Sequence, residues 1–161
     1  MKMAMAETER RRMEIGANLE AALHASRDSP NRVRQVGAVL VAGEGTVIAA
    51  CNTFPPGVRD EEERHAGDGR FVWMEHAERA AIFEAARRGV ATAGAHLTST
   101  FFPCIDCARA IVLAGIACLD TPEPDLRDPV WGESFLRSRV ILEEGRVEMR
   151  FLGAPRAQGD G

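Results

Sequence analysis

The sequence predicts a three-layer α/β/α sandwich built on a five-stranded mixed sheet, and three observations carry that expectation. Helix-period segments alternate with short apolar runs of strand length, in the order helix, hairpin, helix, strand, helix, strand, helix, strand. The run Val36 to Val41 is apolar on both alternating faces, as a strand covered by helices on both sides must be. Gly89, Gly115 and Gly145 each stand where a helix pattern stops, the position that favours a residue without a Cβ. With 161 residues the chain has the length of one domain, enough to bury about two-thirds of its unfolded surface. Residues 1–152 are expected to form it, with 153–161 a disordered tail.

Thr8 to Arg27 reads as an amphipathic helix, with Ile15, Leu19, Ala22 and Leu23 on one face, stopped by Asp28-Ser29-Pro30-Asn31. The following loop carries Arg32 and Arg34 after Arg27, which are either solvated or able to hold a phosphate. Val36 to Val41 is the central strand, Gly43-Glu44-Gly45 a turn, and Thr46 to Cys51 the returning strand of a hairpin. Asn52 to Val58 should lie at the end of the sheet; Asn52 is a turn former before Pro55-Pro56, or a carboxamide that pairs with a sugar hydroxyl or base edge. Arg59 to Phe71, charged and glycine-containing, reads as a mobile surface insertion. Within it His65 is read as a lone surface histidine in preference to a metal ligand beside Cys51. A helix from His76 to Arg88, a strand from Ala95 to Thr100, a helix from Cys104 to Ala114 and a short strand from Ile116 to Leu119 come next. Thr121 to Pro129 is a proline-broken loop, Trp131 to Glu144 a helix and Val147 to Leu152 the last strand.

Two motifs carry chemistry: His76-Ala77-Glu78, and Pro103-Cys104-Ile105-Asp106-Cys107, each opening a helix. One imidazole and two thiolates are donors that suit Zn²⁺, and three protein ligands leave a fourth tetrahedral position open to water. Zinc lowers the pKa of such a water from about 15.7 to about 7. Cys104 and Cys107 fall on one face of a first helical turn, where the dipole stabilises thiolates. Glu78 lies about 200° around the helix from His76, so it is placed to move protons and not to bind metal. A structural zinc is the alternative; it requires a fourth protein ligand, which neither motif supplies.

Composition narrows the partners. A net charge of −4, with no basic stripe, argues against a polynucleotide substrate. Arg10-Arg11-Arg12 sits among Glu7, Glu9 and Glu14 and reads as a solvated helix face. No apolar stretch is long enough to span a membrane, and Met1 to Ala6 lack a signal-peptide core, so the expectation is a cytoplasmic protein with its four cysteines reduced.

From about Asn31 to Leu152 the chain resembles the cytidine and deoxycytidylate deaminase superfamily, nearest to its deoxycytidylate branch. The residues that carry the resemblance are His76-Ala77-Glu78, Phe102 to Ile111, Ala114-Gly115-Ile116 and the loop Asn52 to Gly57. Phe102 stands where the tRNA adenosine and guanine deaminases usually have Glu. Departures are Pro56, where the family often has Arg, and Ala80-Ala81, where it often has Asn-Ala. The resemblance implies zinc held by His76, Cys104 and Cys107, Glu78 as proton shuttle, Asn52 on the sugar, and Phe54, Ala77, Phe102 and Pro103 in the substrate pocket. With no tyrosine in the chain, stacking on a base falls to Phe54, Phe71, Trp73, Phe101 or Phe102. It further implies a homo-oligomer and hydrolysis of a free pyrimidine nucleotide, deoxycytidine monophosphate (dCMP) first. Another small amidine, such as cytidine or guanine, and a non-catalytic zinc module are the alternatives.

Overall fold

The structure is a computed structural model that describes residues 2–153, so the tail expected beyond them lies outside the described residues. Five strands form one sheet in the order β2-β1-β3-β4-β5, where β1 is Gly37–Val41, β2 Val47–Cys51, β3 His96–Ser99, β4 Cys118–Pro122 and β5 Glu148–Leu152. β1 runs antiparallel to both neighbours, and β3, β4 and β5 are parallel, which makes the sheet mixed as expected. Helices α3 (Ala77–Arg87), α4 (Ile105–Leu113) and α5 (Gly132–Glu144) cover one face in sequence order, as right-handed crossovers between parallel strands require. Helix α1 (Lys2–Ser26) packs on β1, β2 and β3.

Alternation along the strands explains the three layers. Ala38 and Leu40 of β1, Leu97 of β3 and Leu119 of β4 point into the core beneath α3, α4 and α5, where they meet Ala81, Ile111, Phe135 and Leu142. The intervening positions face α1: Val39 is fully buried, and a Cβ on Gly37 would lie 1.8 Å from the Ala22 carbonyl oxygen. Only glycine lets α1 approach β1 this closely. On the same face Asp120 of β4, 1% exposed, accepts two bonds from Arg150 of β5, at 2.5 and 3.0 Å, so the buried carboxylate is paired.

Several boundaries differ from the sequence expectation. Helix α1 begins at Lys2, six residues before Thr8, and its arginines find partners: Arg10 with Glu7 and Glu14, Arg12 with Glu9, and Arg11 with Glu148 of β5. Strand β4 continues through Thr121 and Pro122, because its parallel ladder to β5 extends to the Pro122–Leu152 pair. Pro122 sits at the strand's end, where a missing N–H costs no central ladder bond. The segment Arg59 to Phe71 is not a plain loop: it holds a 3₁₀ turn at Glu62–His65 and leads into α2 (Gly69–Trp73). His65 is not a lone surface residue either, since its side chain is 7% exposed, pairs with Asp60 and meets the Phe54 ring edge-on at 5.4 Å. All four cysteines are free thiols, and among the described residues no helix is long and apolar enough to cross a membrane.

Cys118, on β4 beside Asp120, is 2% exposed, and burial pushes its thiol from the ordinary 9.0 up to about 12. The folded chain therefore keeps a proton that the unfolded chain releases above pH 9, so stability is full below that value and is lost as pH rises toward 12. Thermal unfolding followed across this range is expected to show a falling midpoint, and Cys118→Ala to flatten the fall.

Candidate metal centre and cleft

The two motifs meet because β3 lies between the helices that carry them. α3 returns the chain from β2 to β3 and α4 leads from β3 to β4, so both helices start at the same end of the sheet. His76 is the N-cap residue of α3 and Cys104 that of α4, with extended backbone at both, and Cys107 lies in the first turn of α4. The two helix dipoles converge with their positive ends on the cluster.

His76 Nδ1 is 3.4 Å from Cys104 Sγ and 3.5 Å from Cys107 Sγ, and all three donor atoms lie within 4.8 Å of one another. Both cysteines are buried, and among the described residues this is the one group of three such donors that could hold a metal ion. Two thiols and an imidazole whose lone-pair atoms face each other across a gap this size fit a single ion of zinc's preferences. The two thiols compete for charge. A hydrogen bond from Cys107 brings Cys104 down to about 4, and that same bond, with burial, holds the proton on Cys107 and pushes its pKa up.

Glu78 is 3% exposed, and burial raises its pKa above the ordinary carboxyl value. Its Oε1 accepts the Ser99 hydroxyl at 3.1 Å and its Oε2 lies 3.6 Å from Cys107 Sγ, so the carboxyl stands beside the donor cluster without belonging to it. Ser99, at the end of β3, shares its one hydroxyl proton between Glu78 Oε1 and the Phe101 carbonyl at 2.9 Å, which anchors the β3–α4 loop beside the carboxyl.

Polar contacts fix the two motifs. Glu75 Oε1 accepts the His76 amide at 2.8 Å and Arg79 Nε at 2.6 Å, and Arg79 reaches Asp106 of α4 at 3.6 Å, so α3 and α4 are tied next to the cluster. From α5, Ser138 Oγ donates to the Pro103 carbonyl at 2.7 Å and Ser134 Oγ accepts the Ile105 amide at 3.2 Å. Neither serine carries a sequence signal that separates it from an ordinary helix residue.

A cleft opens in front of His76, Glu78 and Cys104. Ala77 and Phe102 line it as expected, together with Phe71 and Phe101. Phe54 and Pro103 are not part of this lining. Phe54 is buried against His65, and Pro103 contributes its carbonyl to Ser138, so both support the walls from behind. Trp73 also stays out of the cleft, under the Arg64 guanidinium at 4.1 Å. Asn52 lines the cleft, but its carboxamide is bonded to Ser29, Arg34 and Val36.

Two lining residues were not legible in the sequence. Trp131, at the start of α5, meets the His76 ring at 6.0 Å and the Phe71 ring at 5.8 Å, both edge-on. Arg70, within the supposed surface insertion, lines the cleft with its guanidinium 4.5 Å from the Phe71 ring centre. Across from it Arg34 stacks on Phe101 at 4.1 Å. Of the arginines considered for a phosphate, Arg27 and Arg32 do not line the cleft, and Arg32 is held by Glu62; Arg59, held by Glu61, does not line it either.

Comparison with known proteins gives a zinc-binding family. Residues 12–119 match the model of the cytidine and deoxycytidylate deaminase zinc-binding region. An uncharacterized deaminase of Aliivibrio fischeri is 32% identical over 120 residues, 73% of this chain and 79% of that protein. The dCMP deaminase of cyanophage S-TIM5 superposes with a TM-score of 0.68 at 22% identity, over 87% of this chain and 98% of that one. A tRNA:A34 deaminase superposes with a TM-score of 0.52 at 32% identity, over 77% of this chain and 87% of that one.

Purified protein is expected to hold one zinc per chain by metal analysis. Cys104→Ala is expected to bind it at least about 10-fold more weakly, because a three-ligand site that loses a thiolate keeps no substitute donor.

Proposed function

This chain belongs to the cytidine and deoxycytidylate deaminase family, and from that premise we infer that it hydrolyses the exocyclic amine of a free pyrimidine nucleotide, dCMP before others, releasing ammonia. The observation that carries the substrate reading is the pair of guanidinium groups, Arg34 and Arg70, lining the same cleft as Glu78. Each lies over an aromatic ring, Phe101 and Phe71 respectively. Arg34 pairs with Asp128 at 3.9 Å and Arg70 has no carboxylate partner among the described residues, so the Arg70 fork is open to an anion and the Arg34 fork is shared with one carboxylate. Two such groups suit one phosphate. A polynucleotide calls for a track of them, and the neighbouring arginines, Arg32, Arg59 and Arg64, are already paired with Glu62 and Glu61.

His76, Cys104 and Cys107 would hold the zinc. Its chemistry, when bound, is to make water acidic near neutrality, so that hydroxide can attack the amine-bearing carbon. Glu78 is the proton carrier: its buried carboxyl has a raised proton affinity, which suits a group that takes one proton from water and passes it to the ring nitrogen, then takes the remaining hydroxyl proton and passes it to the departing amine. Ser99 orients that carboxyl through Oε1. The rings of Phe71, Phe101, Phe102 and Trp131 supply the apolar walls that exclude bulk water from the base. In balance, one water and one amidine give one carbonyl and one ammonia.

Glu78→Gln keeps the shape of the side chain and removes its proton transfer. It is expected to retain zinc while kcat falls at least about 10²-fold. Ammonia release from dCMP, deoxycytidine, cytidine, guanine and a cytosine-containing oligonucleotide tests the substrate. dCMP is expected to exceed deoxycytidine by about 10²-fold in kcat/KM, and Arg70→Ala to remove most of that advantage. Equal rates for nucleoside and nucleotide, or preference for guanine or the oligonucleotide, would overturn the nucleotide reading and leave the zinc chemistry standing.

A further inference from the structure

Arg34 is paired in a way that spares its donors. Asp128 Oδ2 lies 3.9 Å from Arg34 Nη2, within ion-pair range and beyond hydrogen-bond length. The carboxylate therefore offsets the charge of the guanidinium while its N–H groups stay available to another anion. On its other side the group lies over the Phe101 ring, 4.1 Å from the ring centre.

The carboxylate is itself held in place. Asp128 Oδ1 accepts the amides of Val130 and Trp131, each at 2.9 Å, and the Asp128 carbonyl accepts the Gly132 amide at 2.9 Å, so this residue closes the turn that opens α5. Trp131 in turn stacks on Phe135 at 6.4 Å, and Phe135 is buried, which seats the turn on the core. The amides of Trp131 and Val130, and after them Arg34, hold the Asp128 carboxyl below its ordinary value, so it is ionised at neutral pH. A fixed negative charge thus stands beside one of the two guanidinium groups of the cleft.

That charge bears on how much phosphate the cleft accepts. Arg34 and Arg70 bring two positive charges and Asp128 offsets one, and among the described residues no other arginine lines the cleft. A phosphate monoester carries about −1.5 to −2 near neutral pH, which brings the group close to balance. A second or third phosphate adds charge that no open guanidinium meets, since Arg32, Arg59 and Arg64 are paired with Glu62 and Glu61. An anion bound across a single guanidinium from Asp128 lies within a Debye length, about 8 Å at physiological salt, so the carboxylate repels it.

We propose that Asp128 is a positioning residue that limits the cleft to nucleotides with a single phosphate, by fixing the net charge of the Arg34 fork. The proposal rests on the reading of the substrate as a nucleotide, and adds to it the residue that counts the phosphates.

Ammonia release by zinc-loaded, full-length protein from deoxycytidine and its mono-, di- and triphosphates tests this, in buffer without magnesium, which masks phosphate charge. For the unaltered protein kcat/KM is expected to be about 10²-fold lower for the triphosphate than for dCMP. Asp128→Asn keeps a side-chain oxygen for the two amides and loses the charge; it is expected to narrow that gap about tenfold, and its kcat/KM for deoxycytidine, which has no phosphate, measures any loss from the turn itself. Raising the salt to about 0.5 M is expected to narrow the gap in the unaltered protein and to change it little in Asp128→Asn, a response that a purely structural cap does not give. In an Arg34→Ala background Asp128→Asn is expected to lose most of its effect, because the two residues act through one another. A gap that Asp128→Asn leaves unchanged, or equal use of the triphosphate and dCMP by the unaltered protein, overturns the proposal. If dCMP still exceeds deoxycytidine in that case, the nucleotide reading stands and the role of Asp128 alone is lost; equal rates for dCMP and deoxycytidine overturn both.

Discussion

Three buried titratable groups and a half-buried imidazole meet in one place, and that concentration constrains everything around it. His76, Cys104, Cys107 and Glu78 lie at the starts of two helices with little solvent to share their charge. A dication is the natural counter-charge for two thiolates, and the converging helix dipoles add partial positive charge from the backbone. The carboxyl is set apart from the three donors by its position in the helix, two residues beyond the N-cap, and by the hydroxyl of Ser99. The carboxyl therefore differs from the three donors in geometry before it differs from them in chemistry.

The sheet makes this convergence possible. A parallel pair at β3 and β4 requires a crossover helix, and the crossover places the start of α4 at the same end as the start of α3. Its precision comes from smaller devices. Glu75 and Arg79 tie the amide of His76 toward Asp106, and the serines of α5 take the carbonyl of Pro103 and the amide of Ile105. These contacts hold the ligands at the rigid starts of helices, where a shift of one would have to move two elements.

The outer wall of the cleft is built differently. It comes from the Ser29–Val36 loop, from α2 and from the first residue before α5, which are distant in sequence and lack a shared periodic signal. What joins them is aromatic contact across the opening, Phe71 on Trp131 and Arg34 on Phe101, with Arg32 paired to Glu62 outside the cleft. The inner wall carries the donor cluster and Glu78 and the outer wall carries Arg34 and Arg70, so the two walls are held by separate sets of contacts.

The sequence alone determined the layers, the five strands and the chemical identity of the cluster. Those follow from local rules: alternation and helical period are read along the chain, and His-x-Glu and Cys-x-x-Cys are short motifs whose spacing acts within one helical turn. Phe102 and Ala77 reach the cleft because they are neighbours of those motifs. Arg70 and Trp131 could not be read in the same way, since nothing in a charged, glycine-containing stretch or at the start of a helix says which side chain turns inward. Phe54 was misplaced for the same reason: its aromatic ring suited a base, but His65 offered it a partner eleven residues on. The engagement of Asn52 by Ser29, Arg34 and Val36 likewise needed the fold, because a carboxamide binds whichever donors and acceptors surround it, and only tertiary packing decides which those are.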